Sequence, residues 1–147
     1  MKKIFIPPTL VFISLFAITG FYFLLPAYNL IAFPLNLLGI AVCIAGFMIM
    51  GRINELFSKN KTTLAIKHSS TFVRDGLFAK TRNPMYIGMF LLLLGAAFCF
   101  RNVIALMVPF IFILIMNYVF VPREEKLMAE VFGAEYLEYK KTVRRWI

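Results

Sequence analysis

The chain has 147 residues, of which 61% are hydrophobic and 16% charged, and its mean hydropathy of +0.83 excludes an ordinary water-soluble globule. Sixteen basic and seven acidic side chains cannot coat a domain of this size, so lipid must replace water around most of its surface. A net charge of +9 suits nucleic acid only on a soluble basic face; here the basic residues flank apolar runs, and no nucleic-acid partner is expected.

Four stretches are long enough to cross a bilayer, given that about 20 residues span its apolar core. The first covers 4–25. Lys2 and Lys3 ahead of it imitate a signal peptide, but the run is too long, and Pro26, Tyr28 and Asn29 provide no small-residue cleavage site. The second covers 28–50, with Pro34 near its start and Gly39, Gly46 and Gly51 spaced to let a neighbouring helix approach. The third, 85–100, is introduced by Asn83 and Pro84, a capping residue and a first-turn proline. The fourth, 103–121, ends at Pro122 and contains Pro109 as an expected kink. Only Arg101 and Asn102 separate the third from the fourth, which predicts a tight antiparallel hairpin. From 123 to 146, Leu127, Val131, Phe132, Tyr136 and Tyr139 recur at helical spacing, interrupted by Gly133. This predicts a C-terminal helix on the cytoplasmic face, with Tyr139 and Trp146 as interface packing.

The expected fold is therefore all-α, a polytopic integral membrane protein with about four transmembrane helices. Residues 1–51 form two N-terminal transmembrane helices, and 52–147 hold the polar chemistry. Basic residues gather on the cytoplasmic side of membranes, and one orientation places fifteen of the sixteen there, leaving Arg101 outside. Both termini are then cytoplasmic. Cys43 and Cys99 lie in apolar stretches without metal-ligand spacing and read as helix packing. No phosphate-binding glycine loop is present.

The hairpin brings residues 82–86 beside Arg123, Glu124 and Glu125. A helix N-terminus and Arg82 suit a carboxylate or phosphate, while the two glutamates suit an ammonium, a sulfonium or ribose hydroxyls. Residues of these types at membrane borders also serve as anchors and surface ion pairs, so both readings stand at this point.

The stretch 70–88, containing VRDGLF and RNPMYIG, followed by EEKLMAEVFGAEYLEYKKTV from Glu124, resembles the isoprenylcysteine carboxyl methyltransferases and the related phospholipid methyltransferases. The likeness covers roughly the last half of the chain. It implies a membrane enzyme that uses S-adenosylmethionine to methylate a lipophilic or prenylated substrate among membrane lipids. Family cofactor contacts fall on Ser70, Thr71, Phe72 and Val73, on Phe78, on Asn83, Pro84, Met85 and Tyr86, and on Glu124; Arg82 and Glu125 complete the set, and Arg123 with Glu124 are the implied catalytic pair. Three departures accompany it. Asn83 stands where the family commonly has histidine, which excludes a histidine base there. His68 is two positions from the family's other histidine and reads as a surface residue. An arginine one turn before the glutamates falls at Phe120, leaving Arg123 as the nearest substitute. A carboxylate acceptor needs no general base, whereas an amine needs one, with Glu124 or Glu125 as the nearby groups. The alternatives are a phospholipid headgroup N-methyltransferase and a non-catalytic four-helix transporter or lipid-binding protein, though a transporter of this size usually carries an ionisable residue in mid-membrane and three of the four stretches have none.

Overall fold

The computed structural model describes residues 7–60 and 72–147. Among them are five helices, α1 (Pro7–Leu24), α2 (Leu38–Lys59), α3 (Pro84–Cys99), α4 (Met107–Ile115) and α5 (Val121–Thr142), and no strand. Three helical stretches, Pro7–Leu24, Leu35–Lys59 and Met107–Thr142, are long and apolar enough to cross a membrane, and α3 is apolar but shorter. The surface is inverted relative to a soluble protein. Phe16, Leu24 and Tyr118 are 74–79% exposed, while Asn102 and Thr81 are buried, a distribution that lipid stabilises and water does not. The interior lies where α1, α3 and α4 meet, around Ile18, Leu93, Phe112 and Met116.

Several boundaries differ from the sequence expectation, each for a local reason. Pro26 and Pro34 break the start of the second stretch into short 3₁₀ turns at Pro26–Tyr28 and Leu35–Leu37, so α2 begins ten residues later than 28. It then continues past Met50 to Lys59, with a Glu55–Lys59 ion pair of 2.8 Å on its exposed last turns. The fourth helix does not stop at Pro122. A π turn at Met116–Phe120 precedes it, and Pro122 sits in the first turn of α5, so the helical path continues. Pro109 falls in the first turn of α4, where its missing N–H removes no intrahelical bond; the bend comes instead at Gly133, whose φ of 54° leaves the helical region.

Helices α2 and α3 meet antiparallel through two glycine pairs. A Cβ on Gly46 would lie 2.7 Å from the Gly88 oxygen and one on Gly39 would collide with the Gly95 oxygen; in reverse, one on Gly95 meets the Gly39 oxygen at 2.5 Å and one on Gly88 meets the Met50 side chain at 2.7 Å and the Gly46 oxygen at 3.1 Å. Gly51, the third member of the series, faces open space. Cys43 lies in the same seam, its Sγ donating to the Leu92 oxygen at 3.5 Å, and both cysteines are free thiols.

At the opposite end from the polar residues, the connection between α3 and α4 is longer than two residues and is organised by Asn102. Its Nδ2 donates to the oxygens of Phe21 and Leu25 and to Asn29 Oδ1, while its Oδ1 accepts from the N–H groups of Ile104 and Ala105, all at 2.9–3.1 Å. One fully buried amide thus ties the end of α1 to the approach to α4.

Candidate functional site

The first turns of α3 and α5 lie side by side, and the contacts between them are polar. The Tyr86 hydroxyl donates to Glu124 Oε1 at 2.6 Å, and Arg82 Nη1 lies 3.0 Å from Glu125 Oε1 in an ion pair without hydrogen-bond alignment. Around this corner is a cavity of about 670 Å³. That volume falls within the range of about 300–1,000 Å³ typical of small-molecule sites.

Each wall has a sequence-level cause. Along α5, Glu124, Glu125, Met128 and Phe132 face the cavity because they recur at helical spacing. Arg123 is one step out of phase. It is exposed, does not line the cavity and makes no ion pair among the described residues, so the structure does not bring this expected catalytic residue into the site with Glu124. Gly133 turns the chain back, and Tyr136 and Tyr139 after it are buried against the cavity. Tyr139 donates to the Phe78 oxygen at 2.6 Å and packs 5.1 Å from the Phe72 ring, which fastens the segment 72–78 to α5. An Arg74–Glu135 pair at 3.4 Å adds a surface tie. Tyr139 and Trp146 are thus inward-facing, not interface residues: the Trp146 indole N–H donates to Asn117 Oδ1 at 3.0 Å.

Asn83 also differs from its expected part. It makes no side-chain cap on α3; its Nδ2 donates to the Arg145 oxygen at 3.0 Å. Pro84 occupies the first helical position, and the N–H groups of Met85 and Tyr86 follow with no intrahelical acceptor. A positive helix end therefore lies next to Arg82, whose side chain is only 10% exposed and whose Nε has no partner among the described residues.

The two glutamates follow the apolar run and differ sharply in surroundings. Glu125 is held by Arg145, Lys140 and the Arg82 charge, whereas Glu124 has a single partner among the described residues, the Tyr86 hydroxyl.

Of the expected cofactor contacts, Phe72, Val73, Phe78, Arg82, Asn83, Pro84, Met85, Tyr86, Glu124 and Glu125 all line this cavity. Ser70 and Thr71, like His68, lie outside the described residues. Sequence reasoning missed the opposite wall, where Pro7, Phe12 and Leu15 of α1 and Phe47, Met50 and Asn54 of α2 complete the enclosure. No local signal marks them, because apolar residues in a transmembrane helix look alike whether they face lipid or a cavity. Arg145 and Lys140 were missed as well; only their charge and position near the end of an aromatic-rich helix set them apart.

Comparison with known proteins bears on this arrangement. The sequence profile of the phospholipid methyltransferase family matches residues 35–135. The protein-S-isoprenylcysteine O-methyltransferase of Saccharomyces cerevisiae is 36% identical over 74 residues, 48% of this chain and 30% of the yeast protein's length. A Haemophilus influenzae protein described only as uncharacterized is 40% identical over 63 residues, 43% of this chain and all of that protein. The profile match takes in α2, α3, α4 and the first half of α5, the helices that carry the polar corner, and this membrane protein belongs to the phospholipid methyltransferase family.

Proposed function

We propose that the protein transfers a methyl group from S-adenosylmethionine to a lipophilic acceptor that reaches the cavity from the bilayer, the first choice of acceptor being an isoprenylcysteine-type carboxylate. The observation that carries this reading is the division of one cavity into a polar corner, with Arg82, Glu124 and the start of α3, and an apolar wall from α1 and α2. Phe12 and Phe47 of that wall are 64% and 60% exposed, so it continues to the lipid-facing surface.

The polar corner fits a zwitterionic cofactor by its donor set. The unpartnered Arg82 Nε and the free first-turn N–H groups of α3 suit its carboxylate, and Glu124 suits its ammonium or ribose hydroxyls. Phe72, Phe78 and Tyr86 offer ring faces and edges to the adenine and the sulfonium. When bound, the cofactor supplies an electrophilic methyl group on sulfur; the acceptor forms the new bond to that carbon as the carbon–sulfur bond breaks and its electron pair stays on sulfur. The chain's part is to hold both partners in line and to exclude water, which a buried, largely apolar enclosure does. With a carboxylate acceptor no proton moves.

A second reading has an observation of its own. Glu125 is occupied by three cations while Glu124 has only the Tyr86 hydroxyl as partner among the described residues, so an amine acceptor would have one available base, Glu124. Turnover of labelled S-adenosylmethionine in detergent, offered prenylcysteine analogues and phospholipids, tests the assignment. A carboxylate acceptor should give a single-turnover rate that is flat between about pH 5.5 and 9, whereas an amine gives a rate that rises with pH. Binding of S-adenosylhomocysteine with no turnover on any lipid would leave a non-catalytic lipid-binding protein.

A further inference from the structure

Beyond α5 the chain leaves the helix at Val143 (φ −112°, ψ 132°) and runs back against the polar corner. Its main chain is bonded to the segment that opens α3. Arg82 N–H donates to the Arg144 oxygen at 3.0 Å, and Thr81 Oγ1 and Asn83 Nδ2 donate to the Arg145 oxygen at 3.1 and 3.0 Å. Its side chains are bonded to the other helix. Arg145 grips Glu125 with both arms of its guanidinium, Nε to Oε1 at 2.9 Å and Nη2 to Oε2 at 3.0 Å. Arg145 Nη1 and the Trp146 indole share Asn117 Oδ1 at 3.3 and 3.0 Å. This strap lies beyond the residues matched by the family profile, which ends at 135.

The carboxylate geometry has a consequence for Arg82. A carboxylate beside a guanidinium favours two parallel bonds to it. Here that arrangement belongs to Arg145, and Lys140 takes a further position on Oε2 at 2.9 Å. Arg82 is left with a one-sided contact to Oε1, and its buried Nε keeps no acceptor. A buried guanidinium N–H without an acceptor is destabilising, and an anion placed against it removes that penalty. Arg145 does not itself line the cavity, so its effect passes through Glu125 and Arg82.

We propose that Arg145 is a positioning residue: by holding Glu125 in its fork, it keeps Arg82 open to the carboxylate at the amino-acid end of the cofactor. The proposal rests on the S-adenosylmethionine reading above. It predicts an effect on carboxylate-bearing ligands alone, which a general structural role does not.

The test compares two ligands by calorimetry on the full chain in detergent. S-adenosylhomocysteine has the amino-acid end, and 5′-methylthioadenosine lacks it. Arg145→Gln should weaken the first about tenfold and leave the second within about twofold. Arg145→Lys, which keeps the charge but not the fork, should shift the same ratio in the same direction. If the parent binds neither ligand, the cofactor reading itself fails. If the parent binds both and the variants lose both equally, or neither, the cofactor reading stands and the positioning role is overturned. Loss of the fold in both variants also overturns it, because Arg145 would then be a structural clamp.

Discussion

Glu124 and Glu125 are adjacent in sequence yet have different surroundings, because successive residues of a helix point about 100° apart. Glu125 faces Arg82, Lys140 and Arg145, and its lone pairs are occupied by them. Glu124 has one partner among the described residues, the Tyr86 hydroxyl, and faces the cavity. Glu124→Gln preserves size and removes the charge, so affinity for S-adenosylhomocysteine should fall by about tenfold to a hundredfold in calorimetry, the equivalent of one charge-assisted hydrogen bond. An unchanged affinity in a folded Glu124→Gln protein would place the ligand elsewhere.

At the scale of elements, the firmest seam is α2 against α3, and it depends on the absence of side chains. A Leu at position 46 would have to occupy space filled by the Gly88 oxygen and the Leu92 nitrogen, both backbone atoms that cannot rotate away. Gly46→Leu should therefore force the helices apart and lower thermal stability in detergent by several kcal/mol equivalent, on the order of 3 or more. Gly51→Ala is the contrast. It faces open space in the same helix, and replacing an interior glycine should be neutral or stabilise by up to about 1 kcal/mol. Equal losses from both substitutions would contradict the packing described. Because α3 carries Tyr86 in its first turn and follows directly on Arg82, the first substitution should weaken ligand binding along with stability.

For the whole molecule, the charge pattern and the hydrogen bonds can be tested together. Asn102 bonds Asn29 at 2.9 Å and Arg101 Nε bonds the Ile31 oxygen at 2.7 Å, so the two connections share one end of the helices. The polar corner and its cations occupy the other end. With basic residues retained in the cytoplasm, reporter fusions at Asn29 and Arg101 should both report the non-cytoplasmic side, and fusions near Lys61 and at the C-terminus the cytoplasmic side. A split result between Asn29 and Arg101 would contradict the Asn102 clasp; cytoplasmic reports from both would reverse the orientation. If the proposed lipid acceptor is right, the apolar α1 and α2 wall that shares the cavity with the polar corner is where its tail would lie.

Composition and apolar run length were sufficient to read an all-helical membrane protein, because transfer into lipid is a sum over residues and needs no knowledge of neighbours. The polar corner of Arg82, Tyr86, Glu124 and Glu125 was also legible, since short-range motifs at two helix starts are local features joined by one connection. Proline was read less well than glycine: Pro122 and Pro109 sit in first turns where they are tolerated, while the interruption expected at Gly133 is where the helical path bends. Spacing also distinguishes one helix face from another but does not say what covers each face, which is why Tyr139 and Trp146 were assigned to the membrane interface and are found turned inward. Tertiary structure alone decided the α1 and α2 wall, the outward turn of Arg123 and the grip of Arg145 on Glu125. These depend on contacts between residues 20 to more than 100 positions apart, and such contacts are set by the packing of whole helices, which no stretch of sequence encodes by itself.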